Sequence, residues 1–238
     1  FMATAAKVGP FLALWRVFDG VQAAREVTLP IAAVVAALTM TFGNVMALGQ
    51  KDLKRLLGYS SVANAGYVLA AIVGHFGRPT ASDTSTLLTF LIGYVVTTIG
   101  VFAIATLAAR EGTEAGTLDA LRGLNRRAPL AFFALVIFVL SQIGIPPTVG
   151  FLGKVLIFGA TLQGGHAWLG IVLALNSIVS VGYYFSIVQA AYAGEERETR
   201  PDLRLTSGVA FAGLICLAGV IGVVLFYAPL AGLLGFSR

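Results

Sequence analysis

Between Leu130 and Leu162 the chain carries one charge, the ammonium of Lys154. A few residues earlier the run Gly144-Ile145-Pro146-Pro147-Thr148-Val149-Gly150 interrupts any continuous helix. At about 1.5 Å rise per residue, an apolar stretch of that length crosses a hydrocarbon core of about 30 Å with residues to spare. A lysine at such depth has no cheap route to water, so its default reading is functional. Proline removes an intrahelical hydrogen bond and turns the residue before it away from the α region. Backbone that leaves the helix at membrane depth must be buried in protein or line a wet cavity. The Pro146-Pro147 pair and Gly150 therefore predict two half-helices joined by an extended segment, beside an ion or proton path.

Composition fixes the class. Of 238 residues, 58% are hydrophobic and 11% charged, with a mean hydropathy of +0.88. Soluble domains carry about 25% charged residues, so a soluble fold is excluded. The expected fold is all-α, a polytopic transmembrane helix bundle forming one domain over residues 1–238. Its 28 glycines suit close helix packing in lipid, where small residues replace the hydrophobic effect as the driving force. Apolar runs near 1–18, 28–49, 56–76, 85–109, 129–162, 167–193 and 206–235 give about seven helices, the fifth discontinuous.

The basic residues divide unevenly between alternate loops. One side receives Lys51, Lys54, Arg55, Arg110, Arg122, Arg126, Arg127, Arg197, Arg200 and Arg204; the other receives Arg16, Arg25, Arg78 and Arg238. That bias places the first side in the cytoplasm and the C-terminus outside. The net charge of +5 is thereby read as a topology signal for the lipid bilayer, and no nucleic-acid partner is expected. Cys216 is a lone packing residue, and His75 and His166 lie too far apart to suggest a metal site. Phe1 precedes Met2 inside an apolar pattern, from which the chain is expected to be the C-terminal part of a longer polypeptide.

Few residues carry chemistry. Lys7 snorkels to the surface if its helix begins at Phe1, and is a second mid-membrane amine if helix precedes it. The carboxylates lie in loops or at helix ends, so the expected counter-charge for Lys154 comes from a missing N-terminal half, another subunit or water. Thr148 and Gly150 are candidate neighbours offering a water or a backbone partner. In the third helix Ser60, Asn64 and Tyr67 share one face by their spacing, either a hydrated path or a tie between helices. Asn176, Ser180 and Tyr183 form a similar stripe in the sixth, read as interhelical glue. The loop from Arg110 to Ala128 is a candidate contact surface for neighbouring subunits. Gly150-Phe151-Leu152-Gly153-Lys154-Val155 lacks the spacing and hydroxyl of a phosphate loop, and nucleotide binding is rejected. No nucleophile–base pair or redox cysteine pair is present, so no covalent catalysis is expected of this chain.

Three segments resemble a known family. Thr39-Met40-Thr41-Phe42-Gly43-Asn44-Val45-Met46-Ala47-Leu48, Lys54-Arg55-Leu56-Leu57-Gly58-Tyr59-Ser60-Ser61, and Gly144 through Lys154 are similar to the antiporter-like membrane subunits of respiratory complex I. The resemblance covers nearly the whole chain. It implies a fourteen-helix subunit of two inverted repeats, each with a broken helix, of which this chain would hold the last seven helices. It also implies that Lys7 is the central relay lysine and Lys154 the lysine of the second half-channel. Where the family commonly has a histidine after the Tyr-Ser-Ser motif, this chain has Asn64, which holds water but cannot take a proton in the same way.

The activity so implied is proton translocation in the membrane arm of an NADH:quinone oxidoreductase, in a bacterial cytoplasmic membrane. No cofactor is expected on this chain; NADH, FMN, iron–sulfur clusters and quinone would belong to partner subunits. The implied partners are antiporter-like subunit M, small membrane subunits and the missing N-terminal half. A subunit of a multi-subunit sodium/proton antiporter, a complex-I-like hydrogenase arm and a non-transporting scaffold remain alternatives.

Overall fold

The computed structural model describes residues 8–77, 83–108, 116–193 and 218–220. Every regular element among them is helical: α1 (Val8–Gly20), α2 (Arg25–Leu48), α3 (Leu53–Gly77), α4 (Asp83–Ala108), α5 (Leu124–Arg127), α6 (Pro129–Ile143), α7 (Val149–Gln163) and α8 (Ala167–Tyr192), with short 3₁₀ turns at Gln22–Ala24 and Leu118–Leu121. α2, α3, α8 and Thr86–Ala108 of α4 are each long and apolar enough to span a bilayer, while α6 and α7 are shorter apolar pieces. The chain is an integral membrane protein. The long fifth run is two half-helices, as the prolines predict. Lys7 lies outside the described residues, and so does the seventh run except for 218–220.

The start of α3 differs from its apolar run by a few residues, and the cause is capping. The Asp52 carboxylate accepts the backbone N–H of Lys54 at 2.8 Å and of Arg55 at 3.1 Å. It satisfies two of the donors that a helix N-terminus leaves open. α3 therefore begins at Leu53 and takes the exposed Lys54 and Arg55 into its first turn.

The bundle is apolar outside and largely apolar within, with polar side chains gathered at a few buried places. On α2 the buried positions Leu29, Ala32, Ala33, Ala36, Met40, Gly43, Asn44 and Ala47 recur at helical spacing, while Val27, Ile31, Leu38 and Phe42 point outward and are 59–65% exposed. The outward face suits lipid or neighbouring helices rather than water. Two glycines let α2 and α3 touch backbone to backbone. A Cβ at Gly66 would stand 2.6 Å from the Met40 nitrogen, and one at Gly43 would collide with Ala63.

The described part of the loop expected as a polar contact surface, from Gly116 to Ala128, also packs inward. Leu121 and Leu124 are fully buried and join Leu53, Leu56 and Leu57 of α3 and Ile187 and Ala191 of α8 in one apolar cluster. The Lys54 amide donates to the Gly116 carbonyl at 3.2 Å, fastening the segment to the start of α3. Two leucines carry the packing of this stretch, while exposed Arg122 pairs with Asp119 beside it at 2.8 Å.

Candidate functional site at the broken helix

The break is built from few residues. Gly144 closes α6 in the left-handed region at φ 89°, where a side chain would be strained and would press on the Lys154 stem. Its N–H returns to the Leu140 carbonyl at 3.0 Å. Pro146-Pro147, joined by a cis peptide bond, carries the chain across. Thr148 opens α7: its hydroxyl accepts from the Phe151 N–H at 3.4 Å and donates to the Ile145 carbonyl at 2.7 Å. Its place is the N-cap of the second half-helix. At Gly150 a Cβ would run into the Ser141 carbonyl, so glycine there lets the two half-helices lie against each other. The Gly150 amide also donates to the Ser141 hydroxyl at 3.2 Å.

Lys154 follows on α7 and is 7% exposed. Its amine donates to the carbonyl of Gln142 at 3.0 Å and to that of Ile143 at 2.8 Å. The last carbonyls of a helix have no intrahelical partner and carry the negative end of its dipole. Ending α6 inside the membrane thus creates two acceptors that need a donor, and Lys154 supplies it. The amine also lies 5.2 Å from the centroid of the Tyr67 ring, within cation–π range. The counter-charge that the sequence reading sought in carboxylates or another subunit is in part backbone.

Next to the amine is a small cavity among α3, α4, α6 and α7, lined by Asn64, Tyr94, Thr97, Ser141, Gln142 and Lys154 together with Phe90, Gly93 and Gly150. Its volume of about 10 Å³ is close to the least that holds one water. Two of the ammonium's N–H bonds go to carbonyls, and the third remains for this space. A neutral amine keeps two N–H bonds, enough for the same carbonyls. The cradle can therefore persist through loss of a proton.

The stripe of α3 divides. Ser60 and Asn64 belong together: the Asn64 amide donates to the Ser60 carbonyl at 2.9 Å, and the Ser60 hydroxyl meets the Tyr184 hydroxyl at 2.5 Å. Tyr67 instead accepts from the Asn44 amide at 3.3 Å. Asn44 further donates to the Asn176 side chain at 2.9 Å and accepts from the Tyr183 hydroxyl at 2.9 Å. Asn176 donates to Thr41 on α2 at 3.1 Å. Asn176 and Tyr183 thus tie α8 to α2, whereas Ser180 turns back on its own helix, donating to the Ser177 carbonyl.

Four side chains escaped the sequence reading: Asn44, Thr98, Gln142 and Tyr184. Gln142 donates to the Thr98 hydroxyl at 2.6 Å and accepts from the Tyr184 hydroxyl at 3.4 Å. The available signal was chemical. An amide inside an apolar run must find a partner in lipid, and Asn44 and Gln142 each stand in such a run.

Fold and site together define a polytopic membrane protein with a discontinuous transmembrane helix and a lysine buried at the break. Residues 1–191 match the family described as NADH:quinone oxidoreductase/Mrp antiporter, TM, and the chain belongs to that family. NADH-quinone oxidoreductase subunit N 2 of Symbiobacterium thermophilum is 37% identical over 232 residues, covering 96% of this chain and 45% of that protein. A chain of respiratory complex I from Thermus thermophilus with bound Aureothin superposes with a TM-score of 0.71 at 31% identity, over 84% of this chain and 44% of that one. A chain of the Mrp complex from Dietzia sp. DQ12-45-1b gives 0.76 at 20% identity, over 95% and 49%, which is a likeness of fold. The chain spans about half the length of the curated relatives it matches.

Proposed function

We propose that this chain is part of a proton-translocating membrane-arm subunit of an NADH:quinone oxidoreductase, in which Lys154 carries a proton. The observation that carries the reading is the Lys154 amine, buried at a helix break with two of its N–H bonds on the last carbonyls of α6. Relatives named as subunit N of that enzyme, matched along most of this chain, support the choice of complex. A group that holds its place in both charge states, with room for one water beside it, suits proton hand-over. Asn64 lines the cavity and, with Ser60 bonded to it, forms the proposed wet wall; the Tyr67 ring lies beside the amine, and Thr148, Pro146, Pro147 and Gly150 keep the break open. Lys7 is the proposed donor to Lys154, on the strength of the family resemblance alone.

In this reading redox chemistry takes place elsewhere. The chain holds no NADH, FMN, iron–sulfur cluster or quinone, and its partners are the other membrane-arm subunits. The membrane is a bacterial cytoplasmic one, with the basic loops inside. A sodium/proton antiporter subunit is the second reading, favoured by the fold likeness to an Mrp complex. It predicts ion exchange in vesicles without quinone reduction.

Membrane vesicles carrying the assembled oxidoreductase with the full-length subunit test the proposal. Lys154→Ala is expected to lower protons translocated per quinone reduced by tenfold or more for the path through this subunit, on the order of a general acid–base contribution. Unchanged translocation with matched quinone reductase activity would overturn the assignment.

A further inference from the structure

We propose that Gln142 is the positioning residue of the Lys154 site, its side-chain amide fixing where its own peptide oxygen presents itself to the amine. This rests on the reading of Lys154 as a proton carrier. The peptide oxygen of Gln142 accepts from Lys154 at 3.0 Å. Being in the last turn of α6, that oxygen has no intrahelical donor to hold it, so contacts from outside the helix bear on its exact position. The side chain supplies the hold. It is 6% exposed, donates to the Thr98 hydroxyl of α4 at 2.6 Å, and accepts from the Tyr184 hydroxyl of α8 at 3.4 Å. Thr98 is pinned in turn, donating to the Tyr94 carbonyl at 2.7 Å.

One residue therefore joins α4, α7 and α8 at the end of α6. It also lines the small cavity, opposite Asn64 and Tyr94. An amide acting only as glue would resemble Asn176, whose side chain ties α8 to α2 and whose neighbours include no titratable amine. Gln142 differs because a shift of its side chain moves an oxygen that holds the ammonium. Tyr184 extends the linkage to Ser60 of α3, so the wall carrying Asn64 is held by the same chain of bonds.

The test uses the full-length subunit in its native membrane and reads protons translocated per quinone reduced. Gln142→Met keeps volume and peptide oxygen but loses the amide. It is expected to lower the share of that ratio carried by the path through this subunit roughly five- to tenfold, the weight of one or two buried hydrogen bonds. Gln142→Glu, whose protonated form offers one donor and one acceptor, should restore at least half of the loss. Thr98→Val and Tyr184→Phe, which leave α6 untouched, should each lower the ratio about twofold and add nothing to Gln142→Met. These two variants keep the test open if Gln142→Met fails to assemble.

A wild-type ratio in Gln142→Met overturns the proposal. So does a loss that follows only the amount of assembled protein, or full additivity of Thr98→Val with Gln142→Met. If Lys154→Ala abolishes translocation while Gln142→Met does not, positioning alone fails. If Lys154→Ala also pumps normally, the carrier reading falls with it.

Discussion

Two polar regions sit inside this apolar bundle, and they are built on different terms. Around Asn44, amide meets amide: Asn176, Tyr67 and Tyr183 close the hydrogen bonds of α2, α3 and α8 on one another. Around Lys154 the partners are backbone carbonyls freed by ending a helix, and space for about one water is left over. The first region satisfies side chains that the membrane would otherwise penalise. The second uses the membrane's penalty on free backbone to hold a cation with no carboxylate against it among the described residues. Polarity in a bilayer does not by itself mark a conduit. An ionisable group beside unfilled space is the better sign.

Substitutions can set the two regions against each other. The largest effect is expected from Gly150→Leu, because its Cβ must displace the Ser141 carbonyl and push α7 from α6. Backbone cannot yield as a flexible side chain does, so a loss of about 3 kcal/mol or more in unfolding stability is expected, with translocation abolished. Detergent unfolding of the purified subunit measures the first and vesicle acidification the second. A stable, active Gly150→Leu would mean that the half-helices need not touch. Next comes Asn44→Leu, which breaks the other region. It should cost about 1–3 kcal/mol in stability, since several interhelical bonds go at once. Protons per quinone should stay near the wild-type ratio in the protein that survives. A selective fall in that ratio would show the Asn44 cluster to be part of the path and would erase the contrast.

Much of the bundle was legible because lipid leaves few options. Apolar runs had to be helices, and Pro146-Pro147 had to break one, so the half-helices and the burial of Lys154 followed from sequence. What held the lysine was not legible. Its partners are main-chain oxygens, which every residue possesses and no motif announces; only the register of α6 against α7 selects Gln142 and Ile143. Leu121 and Leu124 were missed for a related reason, since two leucines in a polar loop show no period until α3 and α8 give them a place. The stripe Ser60, Asn64, Tyr67 was correct as a face but not as one network, because partners on α2 and α8 divide it.

Ser180 offers the smallest and sharpest check on that lesson. Its helical spacing from Asn176 and Tyr183 suggested a third member of one interhelical tie. Its hydroxyl instead donates to the Ser177 carbonyl of its own helix at 2.6 Å. A hydroxyl that turns back on its helix competes with the i→i−4 ladder and contributes little across the interface. Ser180→Ala is therefore expected to leave unfolding stability within about 0.5 kcal/mol and translocation unchanged, because the methyl still fills a buried position. Asn176→Ala, measured beside it, should cost two to four times as much, since it removes the side-chain bonds to Asn44 and Thr41 that join α8 to α2. Equal losses in the two variants would mean that burial alone, and not the bonds between α2 and α8, sets the strength of the closed region.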